Sequence, residues 1–241
     1  MISFTNVSLY YENKQALEQI NLTIPSAQIT GLIGPNGAGK SSLIKVALGL
    51  IREISGEVTI DGHSVLKERD FVKRNCTYAP EETHLFPYLT GLEFLQLMAT
   101  LRQVPKNEIK NSIDFLIELL EMADFCSTLI QDYSHGMRQK MLISAALLGK
   151  PSHIFIDEAL NGLDAPALFR LKKYLQTLTA QGVTVLLTSH SLPLISEWSE
   201  AVVVLHEGRL LAHWSREEIN QQCTKAGKSF SELFLQMIGE Q

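Results

Sequence analysis

The run Gly34-Pro35-Asn36-Gly37-Ala38-Gly39-Lys40-Ser41 constrains this chain more than any other feature. It fits G-x-x-x-x-G-K-[ST] and stands between a β-branched apolar run, Ile29–Ile33, and a segment in which Leu43, Val46, Ala47 and Leu50 recur at helical spacing. A strand, a tight glycine turn and a helix are therefore predicted in that order. The glycines let backbone N–H groups converge on phosphate oxygens without Cβ clashes, and the start of the helix adds partial positive charge. Lys40 can then reach the β- and γ-phosphates of a nucleotide, while the Ser41 hydroxyl takes a Mg²⁺ position. The competing reading is a glycine-rich turn with no ligand.

The same strand–helix rhythm continues along the chain. Val58–Ile60, His153–Ile156, Val183–Thr188 and Ala201–Leu205 alternate with helix-length segments, which predicts an α/β protein on a largely parallel sheet. Ser3–Leu9 and Ala16–Ile24, separated by the turn-rich Glu12–Gln15, read instead as a hairpin, so an antiparallel β portion comes first. From Thr90 to Lys150 the signals are helical. Thr90 and Glu93 form a capping box, and three apolar stripes follow: Phe94, Leu97, Met98, Leu101; Ile109, Ile113, Leu116, Ile117, Leu120; and Met137, Met141, Ala145, Leu148. An all-helical insertion in an α/β core is the expected architecture. Beyond Trp214, Ser229 and Glu232 cap an amphipathic helix with Phe230, Leu233, Phe234 and Met237 on one face, and packing on the chain's own body is expected for it.

Composition narrows the function classes. With 241 residues, 45% hydrophobic and 20% charged, the chain has enough core to need neither disulfides nor a structural metal. Cys76, Cys126 and Cys223 are odd in number and lack C-x-x-C spacing, the pattern of reduced thiols in a cytoplasmic setting. The longest nearly apolar run, Met141–Leu148, is far short of the ~18 residues that span a bilayer, and the N-terminus has no basic start followed by an apolar stretch. A net charge of −5 offers no basic footprint, so nucleic acid is not expected as a partner.

A second chemical cluster is His153-Ile154-Phe155-Ile156-Asp157-Glu158, an apolar strand ending in two carboxylates. Such a pair is costly to desolvate without a cation, and nucleotide-bound Mg²⁺ would supply one. Asp157 is the candidate metal-site acid, and Glu158 is free to polarise an attacking water. A solvated acidic turn is the alternative. His63, His84, His153, His206 and His213 show no ligand spacing.

These residues combine with Asp132-Tyr133-Ser134-His135-Gly136-Met137-Arg138-Gln139-Lys140, Asn161-Gly162-Leu163-Asp164 and Ser189-His190 into one ordered set. Over residues 1 to about 213 the chain resembles an ABC-type ATPase, the nucleotide-binding subunit of an ATP-driven membrane transporter. The resemblance implies a P-loop NTPase (RecA-like) core over 1–89 and 151–213, a helical subdomain over 90–150 and a C-terminal helical extension over 214–241. It implies that Tyr11 stacks on adenine, with the adjacent Tyr10 as the alternative. Gly34, Pro35, Asn36, Gly37, Ala38, Gly39, Lys40, Ser41 and Ser42 would form the phosphate loop, with Ser41 and Asp157 at the metal. Glu158 would be the catalytic base and His190 the switch histidine at the γ-phosphate. Ser134 and Gly136 would contact nucleotide held by the opposite subunit. Asp164 would link the two sites of a dimer, and its Ala165-Pro166 sequel also makes it a helix N-cap.

Three positions depart from the family pattern. The signature reads YSHGM where LSGGQ is usual, retaining Ser134 and Gly136. Glu81 occupies what resembles the Q-loop position, normally a metal-contacting glutamine, and adds a carboxylate beside two other acids. Ala159 replaces a proline after Glu158 and should loosen that turn. The resemblance further implies ATP and Mg²⁺ as cofactors, an ATP-bound homodimer, and a separate transmembrane permease at the cytoplasmic face of the cell membrane. Glu82–Leu89, with Phe86 and Tyr88, would dock that permease, unless the loop merely packs on the helical insertion. The YSHGM form and Glu81 resemble bacterial exporter ATPases, which favours export. The competing classes are a soluble ABC ATPase of translation or DNA maintenance and a nucleotide-gated regulatory module. The first is disfavoured by a single cassette, no heptad run and acidic charge.

Overall fold

The computed structural model describes residues 1–12, 14–81 and 85–239. Glu82–His84 of the expected docking loop and Asn13 of the first turn lie outside the described residues. In chain order the elements are β1 (Ile2–Tyr11), β2 (Lys14–Ile24), β3 (Ile29–Ile33), α1 (Lys40–Ala47), β4 (Ile54–Ile60), β5 (His63–Ser64), α2 (Arg69–Asn75), β6 (Cys76–Ala79), α3 (Gly91–Leu101), α4 (Lys106–Leu119), α5 (His135–Leu147) and β7 (His153–Asp157). They continue with α6 (Ala165–Ala180), β8 (Thr184–Thr188), α7 (Leu192–Trp198), β9 (Ala201–His206), β10 (Arg209–Ser215), α8 (Arg216–Ala226) and α9 (Phe230–Met237).

Two sheets result. One is antiparallel, in the order β2-β1-β4-β5; the other runs β10-β9-β3-β8-β7-β6, parallel except for the β10 edge. The hairpin expectation holds, since β1 pairs β2 from Ile2↔Ile24 to Tyr11↔Lys14. Val58–Ile60, read with the parallel set, belongs instead to β4, which pairs β1 antiparallel. Its single apolar face explains the difference, because Val58 and Ile60 are buried while Thr59 between them is only partly so.

The inner strands are covered on both faces. Leu32, Phe155, Leu186, Val203 and Leu205 join Leu43, Ile44 and Val46 of α1 and the apolar face of the antiparallel sheet. Their neighbours Ile29, Ile33, Ile154, Ile156, Val185, Leu187, Val202 and Val204 face the other way, towards α6, α7 and the helices of the insertion. Period-2 alternation on strands that read as continuous apolar runs is what a parallel sheet buried on both sides requires. The two sheets are tied where Arg209 of β10 donates through Nε and Nη2 to the Glu18 carboxylate of β2 at 2.8 and 2.9 Å.

Local signals set the element ends. α3 begins with the expected reciprocal box of Thr90 and Glu93, and α9 with that of Ser229 and Glu232. α1 stops at Ala47 because Gly49, at φ 63°, turns the chain into the left-handed region, so Leu50 leaves the helix and is 59% exposed. The stripe in α3 is rotated by about one position: Phe94, Leu95 and Ala99 are buried while Leu101 is exposed. Strands β6 and β10 and helix α8 carry too short or too polar a pattern to be anticipated. The two C-terminal helices rest on the body through Ile219 and Phe234, both buried. All three cysteines are free thiols, and among the described residues no helix is long and apolar enough to cross a membrane.

Candidate nucleotide site

The turn after β3 is shaped by contacts that exclude a side chain. A Cβ on Gly34 would stand 2.2 Å from the Leu205 carbonyl oxygen, and one on Gly39, at φ 103°, would stand 2.7 Å from that of Ala16. Ala38 is buried, and its carbonyl accepts from the Gly208 amide at 3.0 Å, so the turn is pinned to the β9–β10 connection. Lys40 folds back over the turn and donates from Nζ to the carbonyls of Gly34 at 2.9 Å and Pro35 at 3.3 Å.

A cavity of about 420 Å³ opens above this turn. It is lined by Tyr11, Lys14, Ala16, Asn36, Gly37, Gly39, Lys40, Ser41, Ser42, Glu81, Glu158 and His190. Of the two tyrosines, Tyr11 reaches the cavity, where its hydroxyl shares a 3.4 Å hydrogen bond with Ser42 Oγ. Parallel strands that all point one way bring Gly34, Asp157 and Ser189-His190 to one end of the sheet, where ligands of open α/β sheets bind.

Asp157 and Glu158 end β7 in different environments. Asp157, 2% exposed, accepts from Thr188 Oγ1 at 2.9 Å through Oδ1 and from the Tyr78 hydroxyl at 3.1 Å through Oδ2. Burial, reinforced by the Asp157 charge, pushes the Tyr78 phenol well above its ordinary range, so it remains a proton donor. Thr188 Oγ1 also accepts from the Glu158 amide at 2.8 Å. That bond holds Glu158 at φ 54°, a left-handed conformation a non-glycine residue adopts at a cost of order 1 kcal/mol. The turn aims the Glu158 carboxylate into the cavity, with Oε1 3.5 Å from Lys40 Nζ and Oε2 against His190 Nε2. Neither Tyr78 nor Thr188 belongs to a sequence motif; cross-strand adjacency to β7 is what recruits them.

The remaining candidate residues gather elsewhere. Ser134 caps α5, accepting from the Met137 amide at 3.3 Å. Gly136 packs so closely that a Cβ would meet the Gly162 carbonyl oxygen at 2.7 Å. Asp164 caps α6 through the Ala167 amide at 2.8 Å and reaches back to Lys140 of α5 at 3.1 Å. None of Ser134, Gly136 and Asp164 lines the Lys40 cavity. Between the two groups lies Gln139 of α5, whose Nε2 donates to the Glu81 backbone carbonyl at 3.2 Å. Ser41, Glu81 and Asp157 offer only oxygen donors, the hard set that suits Mg²⁺.

A glycine cradle at a helix start, beside a strand-end acid pair and a histidine, defines a P-loop nucleotide triphosphate site. The ABC transporter family model matches residues 17–161, and the chain belongs to the ABC transporter ATPases. An uncharacterized ABC transporter ATP-binding protein of Nostoc sp. is 34% identical over 85% of this chain, which spans 61% of that protein's length. Among solved structures, an ATP-binding subunit of an ABC transporter superposes with a TM-score of 0.91 at 29% identity, covering 98% of this chain and 99% of that one. A dimeric bacterial ABC transporter cassette superposes at 0.79 with 25% identity, covering 90% of this chain and 99% of that one.

Proposed function

We propose that this chain is the ATP-binding and ATP-hydrolysing subunit of an ABC transporter, acting as a pair of cassettes on a separate transmembrane permease at the cytoplasmic face of the cell membrane. The carrying observation is the division of its functional residues. Phosphate loop, Glu158 and His190 share one cavity, while Ser134, Gly136 and Asp164 stand outside it on the α5–α6 side. One copy thus offers half of an enclosure, and a second copy turned head to tail would supply the other half.

In this reading ATP draws Lys40 Nζ from the Gly34 and Pro35 carbonyls onto the β- and γ-phosphates, and Tyr11 stacks on the adenine. Asn36, Gly37, Ala38, Gly39 and Ser42 shape the loop around the phosphates. Ser41, Asp157 and Glu81 would hold Mg²⁺, which when bound neutralises charge developing on the phosphoryl oxygens. Glu158, held by its amide to Thr188, accepts a proton from the attacking water, and His190 donates towards the γ-phosphate from Nε2. Ser134 and Gly136 of the second copy cap that phosphate from the far side. Asp164, tied to Lys140, carries the state of one site to the other. Loss of the γ-phosphate removes what both halves grip, so the pair opens and drives the permease.

The exposed Phe86 and Tyr88, next to the Glu81 loop, are suited to receiving the permease, and export is the direction that the YSHGM signature and Glu81 favour. The discriminating variant is Glu158→Gln. It should retain ATP affinity while turnover falls at least about a hundredfold. Unchanged turnover would remove Glu158 from the chemistry and this reading with it.

A further inference from the structure

We propose that Tyr78 is a positioning residue for the metal of the nucleotide site: its hydroxyl fixes the Asp157 carboxylate in the orientation that holds Mg²⁺, and it does so without touching Glu158. Tyr78 acts here within the hydrolytic reading above, which supplies Asp157 as the metal-site acid.

Sheet register brings the two residues together. In the β6–β7 pair Tyr78 stands opposite Phe155, and Asp157, two residues further along β7, shares the Phe155 face. Phe155 packs with Leu43 and Ile44 of α1, and Tyr78 rests against the same apolar cluster. Asp157 is therefore on the side of the sheet covered by the helix that carries Ser41. Tyr78 reaches Oδ2 from the edge strand at 3.1 Å, while Thr188 reaches Oδ1 from β8 at 2.9 Å. The carboxylate is clamped between two strands, one oxygen to each.

An ionised carboxylate only accepts, so the Tyr78 hydroxyl is the donor. Both clamping donors are neutral. Among the described residues no lysine, arginine or histidine stands within ion-pair distance of Asp157, whereas Glu158 beside it has Lys40 and His190. Hydroxyls orient a buried carboxylate and leave its charge uncompensated, which is what a ligand to a divalent cation requires; a lysine at position 78 would compete with the ion. Phenylalanine would fill the same space in the apolar cluster, so packing alone does not account for a phenol.

The two clamps differ in reach. Thr188 Oγ1 also accepts from the Glu158 amide at 2.8 Å, so its loss disturbs both acids. Among the described residues the Tyr78 hydroxyl bonds Asp157 alone. Removing it separates metal binding from proton transfer.

The test is titration of Mn²⁺ into the full-length chain carrying one adenylyl imidodiphosphate per chain, with free Mn²⁺ counted by electron paramagnetic resonance, for the wild type, Tyr78→Phe and Thr188→Val. Tyr78→Phe should bind Mn²⁺ about tenfold more weakly. Its affinity for the analogue in EDTA, measured by calorimetry, should equal that of the wild type, which also certifies the fold. In steady state Tyr78→Phe should need about tenfold more Mg²⁺ for half-maximal turnover and regain the wild-type kcat once Mg²⁺ saturates, a recovery denied to Thr188→Val. Wild-type Mn²⁺ affinity in Tyr78→Phe overturns the role, as does a kcat deficit that saturating Mg²⁺ leaves in place. An equal loss of analogue affinity with and without metal would reduce Tyr78 to packing and overturn it too. A wild-type chain that shows the Mn²⁺ difference yet never hydrolyses ATP would refute the hydrolytic reading and leave the role of Tyr78 standing.

Discussion

Thr188 shows how much of the site depends on one hydroxyl. It donates to Asp157 Oδ1 and accepts from the Glu158 amide, so the two adjacent acids share a single buried partner. Thr188→Val keeps the shape but leaves a buried N–H and a carboxylate oxygen unsatisfied. We expect about 1–3 kcal/mol lost in urea unfolding and a fall in turnover, with Thr188→Ser restoring most of both. Wild-type stability and turnover in the valine variant would show that Glu158 keeps its orientation without this bond. The phosphate loop and the acid pair are legible in the sequence because their spacing is local, whereas His190 is named only through the family resemblance. Thr188 and Tyr78 are not, since each is contributed by a strand that neighbours β7 only after the sheet has formed.

Among the elements, α6 carries its folding signal at its N-cap, Asp164. Asp164 satisfies the Ala167 amide, and Pro166 fits the first turn, where no N–H is needed. The Ala167 amide, aided by Lys140, holds the Asp164 carboxyl below its ordinary value. Its contribution is therefore complete above about pH 4 and is lost as the pH falls through that lowered value. Asp164→Ala should cost about 1 kcal/mol at neutral pH, whereas Asp164→Asn, which still caps, should cost only a few tenths. Equal losses in thermal unfolding would shift the importance of Asp164 from cap to ion pair. Capping boxes at Thr90 and Ser229 are equally legible, being set within four residues. Helix α8 shows the limit: its box of Ser215 and Glu218 heads a polar segment whose only buried residue is Ile219, too weak a stripe to announce a helix.

Across the whole molecule, the two sheets meet a buried imidazole at the opposite end of β7 from Asp157. His153 is 2% exposed, its ring nitrogens have no hydrogen-bond partner, and Nε2 lies 3.7 Å from Asp61 of the antiparallel layer. Burial pushes this histidine down to about 4, against the opposing pull of Asp61. Between that value and the ~6.5 of an unfolded histidine, the unfolded chain binds more protons, so stability falls as the pH drops through this window. The unfolding free energy obtained from urea titrations should decline from pH 7 to pH 4.5 by an amount on the order of 1–3 kcal/mol. His153→Gln should flatten that decline; the same slope in the variant would place the acid sensitivity on other groups.

Spacing along the chain was sufficient for the nucleotide loop, the strand-end acids, the caps and the helical insertion, since each is a contact between residues close in sequence or a periodicity within one element. It was insufficient for strand partners. The antiparallel destination of β4, the edge strand β6 beside β7 and the pairing of Thr188 with Asp157 arise from contacts between distant segments, chosen when burial of both faces of the parallel sheet is satisfied at once.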